Sequence, residues 1–213
     1  MNRIAEILLD WYAREGRDLP WRRTRDPYRI WLSEVILQQT RVAQGMEYYL
    51  RFTERFPDVA SLAAAPEDEV LKLWQGLGYY SRARNLQKAA RQIVENFGGV
   101  FPNTYDEIRS LAGVGDYTAG AVASIAFGLP VPAVDGNVLR VVTRITGDPG
   151  DITTPAVKRR ITEALRQIIP TEAPGQFNQA MMELGATVCL PNGAPLCDRC
   201  PGAEFCRARL EDR

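Results

Sequence analysis

Apolar residues recur at helical spacing along nearly the whole chain of 213 residues, and no stretch of useful length alternates apolar and polar side chains as a half-buried strand does. Glycine and proline separate the periodic segments, as they do where helices end. The pattern predicts helices at about 2–13, 28–39, 41–56, 59–64, 67–74, 81–97, 105–110, 116–126, 137–146, 155–169 and 174–188. We therefore expect an all-α fold.

Composition narrows the class of protein further. A hydrophobic fraction of 46% and a charged fraction of 24% are typical of a globular chain. No apolar run approaches the roughly 20 residues that cross a bilayer, and Glu6 and Asp10 interrupt the apolar N-terminal stretch, so we predict a cytoplasmic protein without a secretory signal. The chain has no histidine, so acid–base chemistry would fall to carboxylates or another group, and zinc sites that contain histidine are excluded.

Two short glycine turns have the same form, in which Gly–apolar–Gly is followed by any residue, a tyrosine and a hydroxyl residue. One turn is Gly76-Leu77-Gly78 and the other is Gly113-Val114-Gly115. Each opens a predicted helix, and the first amides and the macrodipole of a helix suit a phosphate. The repeat predicts two contacts with the backbone of a duplex. The alternative is a pair of ordinary helix–helix connections, which commonly contain glycine.

Two carboxylates lie in contrasting sequence surroundings. Asp135 precedes the apolar run of a predicted helix and occupies an N-cap position. Glu34 lies among the apolar residues of WLSEVILQQT, where it is either on a solvated stripe or desolvated. Desolvation would raise the pKa of Glu34 and make it a candidate general acid. Spacing alone favours the solvated alternative, because most helical glutamates are exposed.

The segment Pro20-Trp21-Arg22-Arg23 couples an aromatic ring to guanidinium groups. Such a combination can stack on and neutralise DNA. An aromatic that covers the core beside solvated charges is an equally good interpretation. The net charge of zero counts mildly against a nucleic-acid partner without excluding one.

All four cysteines lie in the last 25 residues, at Cys189, Cys197, Cys200 and Cys206. Disulfides are rare in the cytoplasm, so this cluster predicts a metal site. One close pair with two outlying cysteines favours a [4Fe–4S] cluster over a tetrahedral zinc ion, whose ribbon-type sites pair two close doublets. Four unligated thiols are the least favoured alternative.

These motifs together resemble the helix–hairpin–helix DNA glycosylases related to endonuclease III. The resemblance rests on LAGVGDYTAGAV, VDGNV and the terminal cysteines, and WLSEVILQQT, GLGYYSRARNL and FNQAMMELGATVC are similar to the adenine DNA glycosylase (MutY-type) branch. It covers almost the whole chain. Departures are a longer first cysteine interval, a loop without basic residues between Cys189 and Cys197, and LAGVG where LPGVG is commoner.

The resemblance implies a role for each matching residue. Glu34 would be the general acid that protonates the leaving adenine, and Asp135 would stabilise the oxocarbenium-like sugar. Tyr117 and Asn137 would support that carboxylate and the sugar, and Gln179 would contact the adenine. The residues expected to contact or probe the DNA are Trp21, Arg22, Gln38, Gln39, Thr40, Leu77, Tyr79, Gly113, Val114 and Gly115. The four cysteines would hold the [4Fe–4S] cluster.

The implied protein is a monomeric DNA-repair enzyme that flips adenine, mispaired with 8-oxoguanine or guanine, out of double-stranded DNA and hydrolyses its N-glycosidic bond. Tyr117 occupies the position where bifunctional relatives carry a Schiff-base lysine, so the enzyme would be monofunctional and leave the strand intact. A thymine or uracil mismatch glycosylase of the same superfamily is the alternative enzyme. A non-catalytic DNA-binding module and a zinc-stabilised helical interaction protein are the alternatives outside glycosylases.

The resemblance also implies a division into two α-helical lobes with DNA bound between them. A six-helix barrel with the helix–hairpin–helix motif would cover about 24–130, and the cluster lobe would combine 1–23 with 131–213. The C-terminal domain through which full adenine glycosylases recognise 8-oxoguanine is expected to be absent, with weaker discrimination for that base. We expect location in the cytoplasm, at the nucleoid through DNA.

Overall fold

The predicted helices form with few changes in their bounds. In the computed structural model, which describes residues 3–211, no residue is in a β-strand, so the all-α prediction is confirmed. The α-helices in this range are α1 (Arg3–Glu15), α2 (Pro27–Ile36), α3 (Val42–Arg55), α4 (Val59–Ala64), α5 (Glu67–Trp74), α6 (Ser81–Phe97), α7 (Tyr105–Arg109), α8 (Asp116–Phe127), α9 (Gly136–Thr146), α10 (Pro155–Arg166), α11 (Pro174–Thr187) and α12 (Arg207–Leu210).

Capping residues explain why several bounds were predictable. Asp58 accepts a hydrogen bond from Ser61 N at 2.8 Å and so caps α4, and Thr104 caps α7 in the same way. Gly98 and Gly147 end α6 and α9 in the left-handed conformation that glycine adopts without strain. The predicted helix at 28–39 ends earlier, at Ile36, and α12 was not predicted.

The chain divides into two compact units. The first combines the chain up to Asp18 with the chain from Gly128 onwards, and the second is Leu19–Phe127. The bounds of the second unit lie a few residues before the predicted 24 and 130. Positions 1, 2, 212 and 213 of the predicted cluster lobe lie outside the described residues.

In the second unit, α2 is the central helix, and it packs against α3, α6 and α8. Trp31, Leu32 and Ile36 of α2 are fully buried. The facing helix α8 carries a run of small buried residues from Ala119 to Ala123, which lets the two helix backbones approach closely.

In the first unit, α11 is central and packs against α1 and α9, which bury an apolar core that includes Leu8, Val141, Phe177 and Leu184. Arg17, just after α1, donates to the buried Glu183 of α11 through Nε at 2.7 Å and Nη2 at 2.8 Å. This ion pair joins the N-terminal segment to the C-terminal third of the chain. No helix within residues 3–211 has the length and apolarity that crossing a lipid bilayer requires.

Candidate active site

Glu34 is buried in α2, with a side chain only 9% exposed, so the expectation that it lies on a solvated stripe was wrong. Its Oε2 accepts a hydrogen bond from the Tyr117 hydroxyl of α8 at 2.6 Å. The spacing of α2 could not reveal this burial, because α8 supplies the cover. A carboxyl in this setting is desolvated and held in one orientation by a tyrosine.

The loop at 37–41, here called the first loop, follows α2 directly. Gln38 Nε2 donates to the buried Thr118 Oγ1 at 3.3 Å, and Thr40 N donates to Leu37 O at 3.2 Å. Gln39 is exposed and has a φ of +56°, a left-handed conformation that is unfavourable for a residue with a Cβ. The loop therefore presents the Gln39 side chain to solvent at a cost in backbone strain.

The loop at 75–80, here called the second loop, joins α5 to α6 and carries the first glycine turn. Leu77 is buried, whereas Tyr79 is 67% exposed and has a φ of +47°. Tyr48 donates its hydroxyl proton to Gln75 O at 2.7 Å, and Trp74 Nε1 donates to Gly78 O at 2.9 Å. These two hydrogen bonds fix the backbone of the second loop, and the Tyr79 ring projects into solvent.

The second glycine turn joins α7 to α8, so the two helices and the turn form the predicted helix–hairpin–helix. Gly113 has a φ of +72°, and a Cβ there would lie 2.7 Å from Asn85 Cβ, so only glycine fits. Gly113 and Gly115 are exposed, and the buried Val114 anchors the turn. Arg109 closes the turn by donating to Val114 O at 2.9 Å.

Trp21 is buried, and its ring packs edge-on against Tyr49 with 5.1 Å between centroids. Of the two interpretations of this segment, the structure favours a core role for the indole. Arg22 is half-buried.

In the first unit, Asp135 is the N-cap of α9, as predicted. Its Oδ1 accepts from Val138 N at 2.8 Å and its Oδ2 accepts from Asn137 Nδ2 at 2.8 Å. Asn137 Oδ1 in turn accepts from Arg140 Nη2 at 2.8 Å, and Arg140 also donates to Gly185 O at 2.7 Å. Two hydrogen-bond donors thus hold this half-buried carboxylate in one orientation at the N-terminus of α9.

Gln179 lies on α11 in the same unit and is half-buried. Its Oε1 accepts from the Tyr12 hydroxyl of α1 at 2.6 Å. Because this bond engages the amide oxygen, it leaves the amide nitrogen as the donor that a ligand would meet.

The four cysteines line one cavity of about 110 Å³ in the first unit, together with Arg144, Val141 and Ile145. Arg144 donates to Cys189 Sγ at 3.3 Å. Burial raises the pKa of the Cys200 thiol, and the other three cysteines add to this rise. Within residues 3–211, no group of three or more histidine, cysteine, aspartate or glutamate side chains is arranged so that it could hold a metal ion. Four cysteine thiols that line one cavity are the type of donor set that iron–sulfur clusters take.

Comparison with known proteins decides the family. The family model described as "HhH-GPD superfamily base excision DNA repair protein" matches residues 32–167, which span α2 to α10 and include both glycine turns and both carboxylates. The chain belongs to the HhH-GPD superfamily.

Individual members of the superfamily add detail. The adenine DNA glycosylase of Mus musculus is 49% identical over 210 residues, which are 94% of this chain and 41% of that protein. A solved structure of a thermostable thymine-DNA glycosylase has a TM-score of 0.88 at 29% identity, covering 98% of this chain and 95% of that one. A non-covalent endonuclease III–DNA complex has a TM-score of 0.80 at 26% identity, with coverages of 98% and 94%. The chain spans about 40% of the length of the mammalian adenine DNA glycosylases it matches.

Sequence reasoning missed three residues that contact predicted site residues: Tyr12 and Arg140 in the first unit and Arg82 in the second. Tyr12 was not predicted, because only the packing of α1 against α11 shows that its hydroxyl donates to Gln179. Arg140 lies one turn after Asn137, so helical spacing offered a signal for that contact. Arg82 binds backbone carbonyls, which leave no trace in the sequence.

Proposed function

We propose that this chain is a monofunctional DNA glycosylase that hydrolyses the N-glycosidic bond of adenine mispaired with 8-oxoguanine or guanine in double-stranded DNA. The contrast between the two carboxyl groups carries the proposal: Glu34 is buried and meets a tyrosine hydroxyl, whereas Asp135 is an N-cap with two donors. Hydrolysis of a glycosidic bond needs one protonated and one ionised carboxyl group.

Glu34 has the role of general acid, which donates a proton to the leaving adenine as the bond to the sugar breaks. Asp135 has the role of the anion that stabilises positive charge on the sugar until water attacks. Tyr117 orients Glu34 through its hydroxyl, and Asn137 orients Asp135 through its amide. Because residue 117 is tyrosine, no amine is available there to form a Schiff base, so the strand stays uncut.

DNA contacts are assigned to Gln39 and Tyr79 on the two loops and to the turn at Gly113 and Gly115. All four are exposed, and the endonuclease III neighbour was solved in a complex with DNA. Gln179 is assigned to the target base, to which it would present its amide nitrogen. Binding as a monomer and location in the cytoplasm remain predictions.

The cysteine cavity is assigned to a [4Fe–4S] cluster held by Cys189, Cys197, Cys200 and Cys206. When bound, such a cluster joins the segment after α11 to α12 through four iron–thiolate bonds. Arg144 donates to one of these sulfurs and to Leu190 O, and so ties the ligand loop to α9. A brown sample with broad visible absorbance and four irons per chain supports the cluster, whereas a colourless zinc-containing sample refutes it.

Single-turnover base release tests the enzyme proposal. Duplexes carrying A opposite 8-oxoguanine, A opposite G or T opposite G are each incubated with the protein and analysed with and without alkali. We expect adenine release and a strand break only after alkali. Glu34→Gln and Asp135→Asn should each lose at least about a hundredfold in rate, whereas the exposed carboxyls changed in Glu54→Gln and Asp106→Asn should not matter.

Two results contradict the proposal in different ways. Near wild-type release by both Glu34→Gln and Asp135→Asn refutes the assigned chemistry, and a covalent DNA complex trapped by borohydride refutes the monofunctional mechanism. Release of thymine instead of adenine favours the second candidate, a thymine mismatch glycosylase, which the TM-score of 0.88 with a thymine-DNA glycosylase supports. The higher identity to adenine DNA glycosylases favours adenine.

A further inference from the structure

Arg82, in the first turn of α6, contacts both loops of the second unit with its two terminal nitrogens. Nη1 donates to the carbonyl oxygens of Val35 at 3.2 Å and Ile36 at 3.1 Å, and also to that of Gln38. Nη2 donates to the carbonyl oxygens of the second loop, Leu77 at 3.2 Å and Gly78 at 3.3 Å. The guanidinium of Arg82 thus binds the end of α2 and the first loop through Nη1, and the second loop through Nη2.

Arginine suits this position for two physical reasons. The carbonyls of Val35 and Ile36 are among the last of α2, where carbonyls lack partners within the helix and the macrodipole favours a positive charge. The guanidinium also has a rigid fork of donors, which lysine lacks. Arg82 Nε is buried and finds no hydrogen-bond partner within residues 3–211, so the polar contacts fall to the two terminal nitrogens.

The two loops that Arg82 joins are strained at corresponding places. Among residues 3–211, Gln39 in the first loop and Tyr79 in the second are the non-glycine residues with positive φ. Such a conformation is strained for a residue with a Cβ and persists only where surrounding contacts hold it. Arg82 supplies contacts on both sides, and its guanidinium lies 5.0 Å from the Trp74 ring centroid and 5.8 Å from that of Tyr79.

We propose that Arg82 is a positioning residue that holds the first and second loops as one rigid probe, so that Gln39 and Tyr79 enter the DNA together and displace the target base. This role rests on the proposed glycosylase function. Arg82 touches backbone and ring atoms of the loops rather than reacting atoms, so it acts before bond cleavage. Without the Arg82 guanidinium, each loop can relax separately, and the rate of base extrusion falls.

The experiment compares Arg82→Met and Arg82→Lys with Arg84→Met as the matched control. Arg84 lies two residues along α6, is exposed, and pairs with Glu67 at 3.3 Å. Thermal melts first establish that every variant is folded at the assay temperature. Hydrogen exchange of the DNA-free protein then reports opening of the 37–41 and 75–80 amides, and stopped-flow fluorescence of 2-aminopurine beside the target adenine reports base extrusion.

We expect faster hydrogen exchange in both loops of Arg82→Met. We also expect the fluorescence rise to be roughly ten- to hundredfold slower, a factor that corresponds to the strain of one or two residues that Arg82 no longer holds in place. Adenine release should slow equally, because extrusion then limits it. Arg82→Lys should recover part of the rate, since an ammonium keeps the charge without the fork. Arg84→Met should match wild type in all three measurements.

Two outcomes overturn the inference. Loop exchange in Arg82→Met equal to that of wild type means that Arg82 does not hold the loops. If Arg82→Met shows faster loop exchange but extrudes and releases the base at the wild-type rates, the contacts of Arg82 with the loops have a structural role only. A wild-type protein that releases no base from any duplex refutes the proposed function instead, and the exchange measurement still decides whether Arg82 joins the loops.

Discussion

Gly185 of α11 lies against the start of α9, where Asn137 supports Asp135. A Cβ built on Gly185 would lie 2.5 Å from Asn137 Cβ and 3.1 Å from Asn137 Cα. Carbon atoms in contact are about 3.5–4.0 Å apart, so Gly185→Ala pushes Asn137 away by about 1 Å. Because the neighbour includes backbone, it cannot rotate aside. The substitution therefore displaces the residue that orients the carboxylate without removing any polar group.

The expected effect on stability is small and that on rate is large. Overpacking costs about 1–3 kcal/mol, and replacing a helical glycine by alanine returns about 1 kcal/mol. The net loss of about 0–2 kcal/mol leaves the protein folded and lowers Tm by at most roughly 8 °C. A displacement of about 1 Å in a catalytic group can cost about a hundredfold in rate. We expect that loss in single-turnover adenine release.

Gly136→Ala is the matched control. Gly136 adjoins Asp135 in sequence, but a Cβ there would meet no atom within 4 Å. Base release from a duplex with A opposite 8-oxoguanine is measured for both variants at 25 °C, with thermal melts to confirm folding. If Gly185→Ala releases adenine within about threefold of Gly136→Ala, a 1 Å shift of the Asn137 support does not matter and the reasoning fails.

Three further predictions concern stability and the cluster. Asp58→Ala should lower the free energy of unfolding by about 1 kcal/mol at neutral pH. Hydrogen bonds from Ser61 hold the pKa of Asp58 below its ordinary value. The stabilisation by Asp58 is therefore present above the ordinary pKa and should disappear as the pH falls through the lowered pKa. Urea unfolding of wild type and Asp58→Ala at neutral and acidic pH checks the size of the loss and its pH dependence. Glu183→Gln breaks the ion pair between the buried Glu183 and the partly exposed Arg17. Because one partner is exposed to solvent, we expect the free energy of unfolding in urea to fall by about 2 kcal/mol, less than the loss for fully buried pairs. A loss below about 0.5 kcal/mol would show that the pair contributes little. Cys200→Ser should lower iron content, visible absorbance and Tm together, and unchanged iron content would remove Cys200 from the ligand set.

Most helix bounds could be predicted because their causes are local. Asp58, Thr104 and the left-handed Gly98 and Gly147 are caps that a single stretch of sequence reveals. Asp135 belongs to this class, since its N-cap role depends on residues only three positions away. The helix at 28–39 was predicted too long because the chain turns at 37–41, where contacts from α6 hold a conformation that local propensity disfavours.

The parts of the site that could not be predicted depend on distant segments. Glu34 is buried because the small residues of α8 pack over α2, and the periodicity of α2 alone contains no such information. Trp21 is buried by Tyr49, which is far along the chain. Arg82 shows a further limit, because it recognises carbonyl oxygens and every residue type has one.

The division of the chain also has a consequence for its synthesis. Helix α1 leaves the ribosome before α11, against which it packs, because α11 begins only at Pro174. At about 5–20 residues per second, α1 waits roughly 10–30 s for that partner. The unit from Leu19 to Phe127 is complete well before then and can fold first. During that interval the apolar residues of α1, such as Leu8 and Trp11, lack their native partner on α11, so we expect them to be exposed in the nascent chain.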